Sequence, residues 1–78
     1  MKAELLQYYD RFTKSEKKIA DFILDNSETV INASIQDLSM QIETSTATLS
    51  RFAKKWFNCS YTEFKIELAK DTDMVEYQ

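Results

Sequence analysis

Glycine, proline and histidine are absent from this 78-residue chain, and cysteine occurs once, as Cys59. β-Rich folds depend on Gly in tight turns, and no Pro is present to interrupt helices, so the composition favours an all-α fold. A lone Cys excludes an internal disulfide and a zinc site built on cysteines. Without His, a Gly-rich loop or paired carboxylates beside a nucleophile, the sequence predicts neither an enzyme nor a cofactor or metal site.

Long apolar runs are also missing. No stretch approaches the ~20 apolar residues that a membrane-spanning helix needs, and the first residues are too polar for a signal peptide. We therefore expect a cytoplasmic protein with no membrane partner. The chain carries 13 Asp and Glu against 10 Lys and Arg, a formal charge of −3. With that balance, binding to nucleic acid requires local placement of positive charge.

Ser and Thr residues stand where helices are expected to begin. Thr13 with Glu16, and Ser60 with Glu63, have the spacing of a capping box. The other predicted N-caps are Ser27, Ser34 and Ser45. The predicted helices are 2–11, 14–25, 28–32, 35–42, 46–56 (or 57) and 61–70, and the polar tail 71–78 is expected to fray. The sequence therefore predicts an all-α fold, a single compact bundle of five to six helices covering residues 1–78.

Apolar residues recur at the period of an amphipathic helix along these segments. The residues predicted to face the core are Ile19, Ala20, Phe22, Ile23, Val30, Ile31, Ile35, Leu38, Ser39, Ile42, Leu49, Phe52, Ala53, Trp56, Tyr61, Phe64, Ile66, Leu68 and Ala69. With no Gly available, we expect Asn26 to turn the chain and Asn58 to end its helix in a left-handed conformation. Cys59 is expected to be a small, partly buried residue.

Residues 34–57 have the layout of a helix-turn-helix unit. A helix of about two turns, Ile35–Ile42, precedes a three-residue break, Glu43–Ser45, and a helix of about three turns, Thr46–Trp56. In such a unit the second helix enters the DNA major groove. The layout therefore predicts a partner, double-stranded DNA, with 46–56 as the recognition helix.

Charge along the second of these helices supports that interpretation. From Thr44 to Ser60 there is no carboxylate, and Arg51, Lys54 and Lys55 fall within five positions. A carboxylate on this face would oppose the phosphate backbone. Thr side chains can bond base edges and touch a thymine methyl, and an Arg can reach a guanine edge. The lysines, and the free N–H groups at the helix start, suit phosphates.

A second basic cluster, Lys14, Lys17 and Lys18, occupies the first turns of its helix, where lysines oppose the helix dipole. A flanking phosphate contact would compensate for that placement. The predicted DNA-binding residues are Ser45, Thr46, Thr48, Ser50, Arg51, Lys54, Lys55, Lys17 and Lys18. Two other interpretations stay open. The basic residues can form an ordinary solvated face, or the chain can be a helical protein-interaction or dimerisation module without nucleic-acid contact.

The N-terminal segment Lys2–Phe12 has more bulky apolar residues than one helix face needs, namely Leu5, Leu6, Tyr8 and Tyr9. DNA readers of this kind act as dimers on two half-sites, because one short helix gives too little affinity alone. We therefore expect a homodimer through this segment. The alternative is that all four side chains close the core.

Three stretches of the chain carry a family resemblance: FTKSEKKIADFILDNSETVINASIQDLS, STATLSRFAKKW and YTEFKIELAK. They resemble the N-terminal domain of RpiR-type bacterial transcriptional regulators, from about Leu5 to Lys70. The resemblance implies a DNA-binding helix-turn-helix domain that controls genes of sugar and sugar-phosphate catabolism. It also implies that the chain is a fragment of a longer regulator, in which a phosphosugar effector binds only on a C-terminal sugar-isomerase-type domain.

Two positions depart from the family pattern. Glu43 stands in the turn where the family commonly has Gly, and Phe57–Asn58 stands where Gly-Phe commonly follows the recognition helix. A carboxylate in the turn is mildly unfavourable next to DNA. These departures bear on the DNA sequence preference more than on the fold.

Overall fold

Six α-helices and one 3-10 turn form the chain over residues 1–76, the backbone range that the computed structural model describes; side chains are described for residues 1–71. The helices are α1 (Lys2–Tyr8), α2 (Lys14–Asp25), α3 (Ser27–Asn32), α4 (Ile35–Ile42), α5 (Thr46–Phe57) and α6 (Tyr61–Glu76), and the 3-10 turn is Tyr9–Arg11. The all-α prediction is confirmed. Within the described range, no helix combines the length and apolarity that crossing a bilayer requires.

Both predicted capping boxes are present. The Thr13 N–H donates to the Glu16 carboxylate at 2.9 Å, and the Glu16 N–H donates to the Thr13 hydroxyl at 3.2 Å. The Ser60 N–H donates to Glu63 at 3.0 Å, and the Glu63 N–H returns a bond to the Ser60 hydroxyl at 3.2 Å. Hydroxyl caps are also formed by Ser34 and Ser45. Each satisfies backbone donors that a helix start leaves unpaired.

The predicted cap at Ser27 is wrong. One residue, Asn26, separates α2 from α3, so α3 begins at Ser27 and leaves no room for a separate serine cap. The Ser27 hydroxyl instead donates to the carbonyl of Ile23 at 3.0 Å, a bond that Ser commonly makes to the preceding turn of a helix. Asn26 turns the chain as expected, at φ −136° and ψ 49°.

Left-handed residues end both helices of the helix-turn-helix unit. Glu43 has φ 65° and follows α4, and Asn58 has φ 54° and follows α5. The backbone N–H of each donates to the carbonyl four residues back, that of Ser39 and that of Lys54. This is the αL termination motif, in which Gly is the usual residue. The prediction for Asn58 is confirmed.

The core runs through all six helices and the turn that follows α1. Its buried apolar residues are Leu5, Phe12, Ile19, Ala20, Ile23, Val30, Ala33, Leu38, Ile42, Leu49, Phe52, Ala53, Phe64 and Leu68. Burying a large side chain of this kind stabilises the fold by ~1.5–3 kcal/mol. The prediction that Ile66 lies in the core is wrong, because this residue is 51% exposed. Phe64 and Leu68 define the inner stripe of α6, and a residue two positions from each lies on the opposite side.

Aromatic rings hold α5 against its neighbours. The Phe12 ring centroid lies 5.3 Å from that of Phe52 and 4.9 Å from that of Trp56. At the end of the helix, the Phe57 ring lies 5.2 Å from that of Phe64 on α6. Trp56 therefore packs against the core, as the sequence predicts, and does not form an exposed platform for base stacking.

Most of the apolar surplus of the N-terminal segment is used by the core. Leu5 is fully buried, the Tyr8 ring lies 5.5 Å from that of Trp56, and the Tyr9 hydroxyl donates to Asp21 at 2.8 Å. Leu6 is 64% exposed. Three of the four side chains considered for a dimer surface thus have partners within the chain.

Side chains of α6 tie it to α3. The Tyr61 hydroxyl donates to the carbonyl of Ala33 at 3.1 Å, and the Lys65 ammonium donates to the same oxygen at 3.1 Å. Burial, with a smaller effect from the charge of Asp37, raises the pKa of Tyr61 to about 12, so this hydroxyl stays a donor. The predicted end of this helix at residue 70 is wrong, because α6 continues to Glu76; the rest of the predicted tail, 77–78, lies outside the described residues.

Candidate nucleic-acid interface

The second helix of the unit, α5, presents a polar face to solvent. Leu49, Phe52 and Ala53 are buried on its inner side, and α4 packs against it. The exposed residues of the helix are Thr46, Ala47, Ser50, Arg51, Lys54 and Lys55. At 100° per residue, Arg51 and Lys54 lie near the direction opposite the buried stripe. The face that the sequence predicts to be outward is therefore outward, except at Thr48, which is half-buried.

Hydroxyl groups organise the start of α5. The Ser45 Oγ accepts the backbone N–H of Thr48 at 3.1 Å and lies 2.8 Å from the Thr48 hydroxyl. The Arg51 guanidinium in turn donates to the Thr48 hydroxyl at 3.5 Å. Thr48 is half-buried, so its hydroxyl orients Arg51 more readily than it reaches a base. Thr46 and Ser50 are the exposed hydroxyls of this face.

Arg51 and Lys54 border a shallow groove between α5 and the start of α6, and Cys59 lies in the same groove. Burial raises the pKa of the Cys59 thiol, and the nearby Glu63 adds to this effect. The thiol is therefore protonated at neutral pH, which fits the partly buried structural role expected for it.

Lys55 lies at the edge of this face and pairs with Glu16 on α2. Its ammonium lies 3.2 Å from the Glu16 carboxylate and 5.1 Å from the centroid of the Trp56 ring. The same carboxylate oxygen accepts the Trp56 indole N–H at 3.0 Å. Burial alone would raise the pKa of Glu16, but hydrogen bonds from Thr13, Trp56 and Lys55 outweigh it and hold that pKa below its ordinary value.

Glu16 is the residue of this region that sequence reasoning missed. Its spacing from Thr13 predicts the capping box, and nothing in the sequence indicates that its second oxygen reaches Lys55, 39 residues further along the chain. Such a contact depends on how α2 and α5 pack. The bond to Thr13 and the bonds to α5 are made by the same side chain at once.

The two lysines predicted on α2 also have partners. The Lys17 ammonium lies 5.4 Å from the centroid of the Tyr9 ring. The Lys18 ammonium lies 3.8 Å from the Glu43 carboxylate, with both side chains more than half exposed. Pairs this exposed are weak, so Lys18 is free to move to another anion. This contact brings the start of α2 beside the turn between α4 and α5.

Comparison with known proteins identifies the family. The helix-turn-helix domain of the rpiR family matches residues 1–74 of the 78. The chain belongs to this family. The RpiR resemblance seen in the sequence is confirmed.

Several curated relatives of this RpiR-family chain are transcriptional regulators. An uncharacterized HTH-type transcriptional regulator of Thermotoga maritima is 44% identical over 63 residues, which are 80% of this chain and 22% of that protein. A second, from Haemophilus influenzae, is 39% identical over 61 residues, 78% of this chain and 21% of that protein. The HTH-type transcriptional regulator HexR of Pseudomonas aeruginosa is 34% identical over 61 residues, again 78% and 21%.

The chain therefore spans about a fifth of the length of these relatives. It is a DNA-binding helix-turn-helix domain of the kind found in transcriptional regulators. These relatives are named as HTH-type transcriptional regulators.

Proposed function

We propose that this RpiR-family domain binds a specific DNA sequence by placing α5 in the major groove. The observation that carries the proposal is the exposed face of α5, which bears three cations and small hydroxyls and lies on a segment without carboxylates. The packing of α4 behind it leaves that face free to approach DNA. An α-helix of this width fits the major groove of B-DNA.

The side chains suit different parts of the DNA. Thr46 and Ser50 are short and exposed, so they can hydrogen-bond base edges, and Arg51 can bond the O6 and N7 atoms of a guanine. Thr48 supports Arg51 through the bond described above. Lys54 suits phosphates, as do the backbone N–H groups of the first turn of α5 other than that of Thr48, which donates to the Ser45 hydroxyl. The proposed phosphate contacts on the flanks of the helix are Lys17, Lys18 and Lys55.

We infer that the domain works in the cytoplasm within a longer regulator of sugar or sugar-phosphate metabolism genes. The support is the family resemblance together with the short share of each relative that the chain covers. In this proposal a phosphosugar effector binds a sugar-isomerase-type domain, and residues 1–78, a single DNA-binding domain, bind no effector.

We also propose that the domain acts as a homodimer through α1. The support is the limited affinity of one short helix and the 64% exposure of Leu6. Sedimentation of Leu6→Glu against Leu6→Ala tests it, and a lower mass for the glutamate variant alone is expected. An unchanged mass in both variants removes α1 from the interface. Leu5 is unsuitable for this test because it is fully buried.

The alternative of a protein-interaction module without DNA contact requires a continuous apolar surface. The large apolar side chains exposed in the described part of the chain are Leu6, Met40 and Ile66. They belong to three different helices, α1, α4 and α6, and isolated apolar residues of this kind are ordinary on protein surfaces. DNA binding is therefore the function that the exposed side chains favour.

Selection of bound oligonucleotides from a random pool tests the proposal, followed by binding assays on the selected sequence. Arg51→Ala should weaken binding by ~1–3 kcal/mol and relax the preference at one base pair. Arg51→Lys is the matched control, because it keeps the charge and loses the forked geometry that recognises guanine. Failure to enrich any sequence, or an unaffected Arg51→Ala variant, would contradict the assignment.

A further inference from the structure

Glu16 connects α2 to the proposed DNA-binding helix through one carboxylate. Its Oε1 accepts the Thr13 N–H at 2.9 Å, while its Oε2 accepts the Trp56 indole N–H at 3.0 Å and the Lys55 ammonium at 3.2 Å. The capping role of Glu16 explains the first contact and not the other two. Glu16 lies outside the helix-turn-helix unit, yet it neutralises one of the cations of α5.

The two charged partners are held unequally. The Glu16 side chain is 12% exposed, whereas that of Lys55 is 59% exposed. If Lys55 leaves, Glu16 keeps the donors of Thr13 and Trp56, so the carboxylate stays hydrogen-bonded. Lys55 meanwhile moves into water at little cost, because an ion pair with so exposed a cation contributes little to stability. Another anion that approaches α5 can therefore replace Glu16 as the partner of Lys55.

A DNA backbone docked on α5 would supply such an anion. Lysine binds phosphate as a point charge, and Lys54 on the same helix would hold a phosphate near it. We propose that Glu16 and DNA phosphate compete for Lys55, so that Glu16 limits how strongly α5 binds the DNA backbone. This inference rests on the DNA-binding role proposed above and names a residue that regulates it.

A second ion pair beside the same face provides a matched control. Glu43 pairs with Lys18 at 3.8 Å, and their side chains are 84% and 54% exposed. Glu43→Gln removes one carboxylate from this region, as Glu16→Gln does, but it frees Lys18, another proposed phosphate contact, and not Lys55. Its effect on DNA binding, from total charge or from Lys18, should therefore not depend on Lys55.

The test is a double-mutant cycle measured by DNA binding at low salt on a selected sequence. The proteins are the wild type, Glu16→Gln, Lys55→Ala and the double variant. Gln also closes capping boxes, so Glu16→Gln removes the charge and keeps a suitable residue at this helix position. It should bind about two- to fivefold more tightly than the wild type, in line with the strength of exposed ion pairs. That gain should disappear when Lys55 is Ala, whereas the effect of Glu43→Gln should not depend on Lys55.

Two results would overturn the competition. Either Glu16→Gln gives no gain in DNA affinity, or its gain persists in the Lys55→Ala background. Should Glu16→Gln not fold by circular dichroism, the wild type answers the same question by NMR. The Glu16 carboxyl carbon resonance should shift when DNA is added and should shift less in Lys55→Ala; equal shifts would overturn the proposal.

Failure of the proposed function has a different signature. In that case the wild type and all variants bind no DNA at low salt, and the carboxyl resonance does not respond to it. If the wild type binds DNA and Arg51→Ala weakens it, the DNA-binding role stands whatever the cycle shows. The two proposals are therefore distinguished by the same set of proteins.

Discussion

The carboxylate of Glu16 lies 3.0 Å from the indole nitrogen of Trp56, although forty residues of sequence separate them. Glu16 is in the first turn of α2 and Trp56 in the last turn of α5. The bond therefore connects the first turn of one helix to the last turn of the proposed DNA-binding helix. It complements the apolar contacts of Phe52 and Trp56 with Phe12, which fix the same helix from inside.

Glu16→Ala should lower the free energy of unfolding by ~1–3 kcal/mol, because it removes an acceptor from the Thr13 N–H and from the partly buried indole N–H of Trp56. Urea denaturation followed by circular dichroism measures the loss. Glu67→Ala is the control, because Glu67 is 55% exposed and pairs with Lys70 within one helix. A loss for Glu16→Ala no larger than that for Glu67→Ala would show that the contact does not stabilise the fold.

The stability that Glu16 supplies should depend on pH. The pKa of Glu16 is lowered in the folded state, so its contribution is fully present above the unfolded pKa, near 4.5, and is lost as pH falls through the lower folded pKa. The difference in unfolding free energy between the wild type and Glu16→Gln should therefore be largest at neutral pH and shrink in acid. Urea titrations of both proteins across this range measure it. A difference that grows on acidification would contradict the assigned direction.

Glu43→Gly should stabilise the domain. A left-handed conformation costs an ordinary L-residue ~1–2 kcal/mol, and Glu43 adopts it at φ 65°. Part of that gain is offset by the extra chain entropy of Gly in the unfolded state, which leaves an expected increase of about 1 kcal/mol. Thermal denaturation against Glu43→Ala checks the reason, because Ala removes the same carboxylate but keeps Cβ. Equal effects of the two substitutions would point to charge instead of backbone conformation.

Thr48→Val should weaken DNA binding without a large change in stability. The substitution keeps the branched shape of the side chain and removes the hydroxyl that accepts a bond from Arg51. A less oriented Arg51 should lower the affinity for the selected sequence several-fold and reduce discrimination at one base pair, within the ~1–3 kcal/mol of a good base contact. Thr62→Val, at an exposed site on α6, is the control. Equal affinities for both variants would mean that Thr48 does not position Arg51.

The local features of this fold can be predicted from the sequence. The caps at Thr13, Ser34, Ser45 and Ser60 depend on contacts within four residues, and all four form as predicted. Ser27 is the exception, because the short link between α2 and α3 gives its hydroxyl a nearer partner in the preceding turn. The burial stripe of α5 also follows from spacing alone, since its apolar positions repeat without ambiguity.

The rest depends on packing between distant segments. The sequence predicts Lys55 to be an unpaired cation on the outer face of α5. Its pairing with Glu16 depends on how α2 and α5 are placed relative to each other. Leu5 and Leu6 are adjacent and identical in type, yet one is fully buried and the other 64% exposed, according to the rotation of α1 on the core. The apolar side chain of Ile66 predicts a core position, but Ile66 lies on the side of α6 opposite Phe64 and Leu68 and is exposed.

The salt dependence of DNA binding tests the central claim most directly. Lys54 is exposed on α5. Lys70 is exposed on α6, and roughly 14 Å of helix separates it from Tyr61, where α6 begins. If α5 binds the phosphate backbone, Lys54→Ala should reduce the slope of log affinity against log salt by about 0.9, the value for one phosphate contact, and Lys70→Ala should leave it unchanged. Equal slopes for the wild type and both variants would contradict the placement of α5 against DNA.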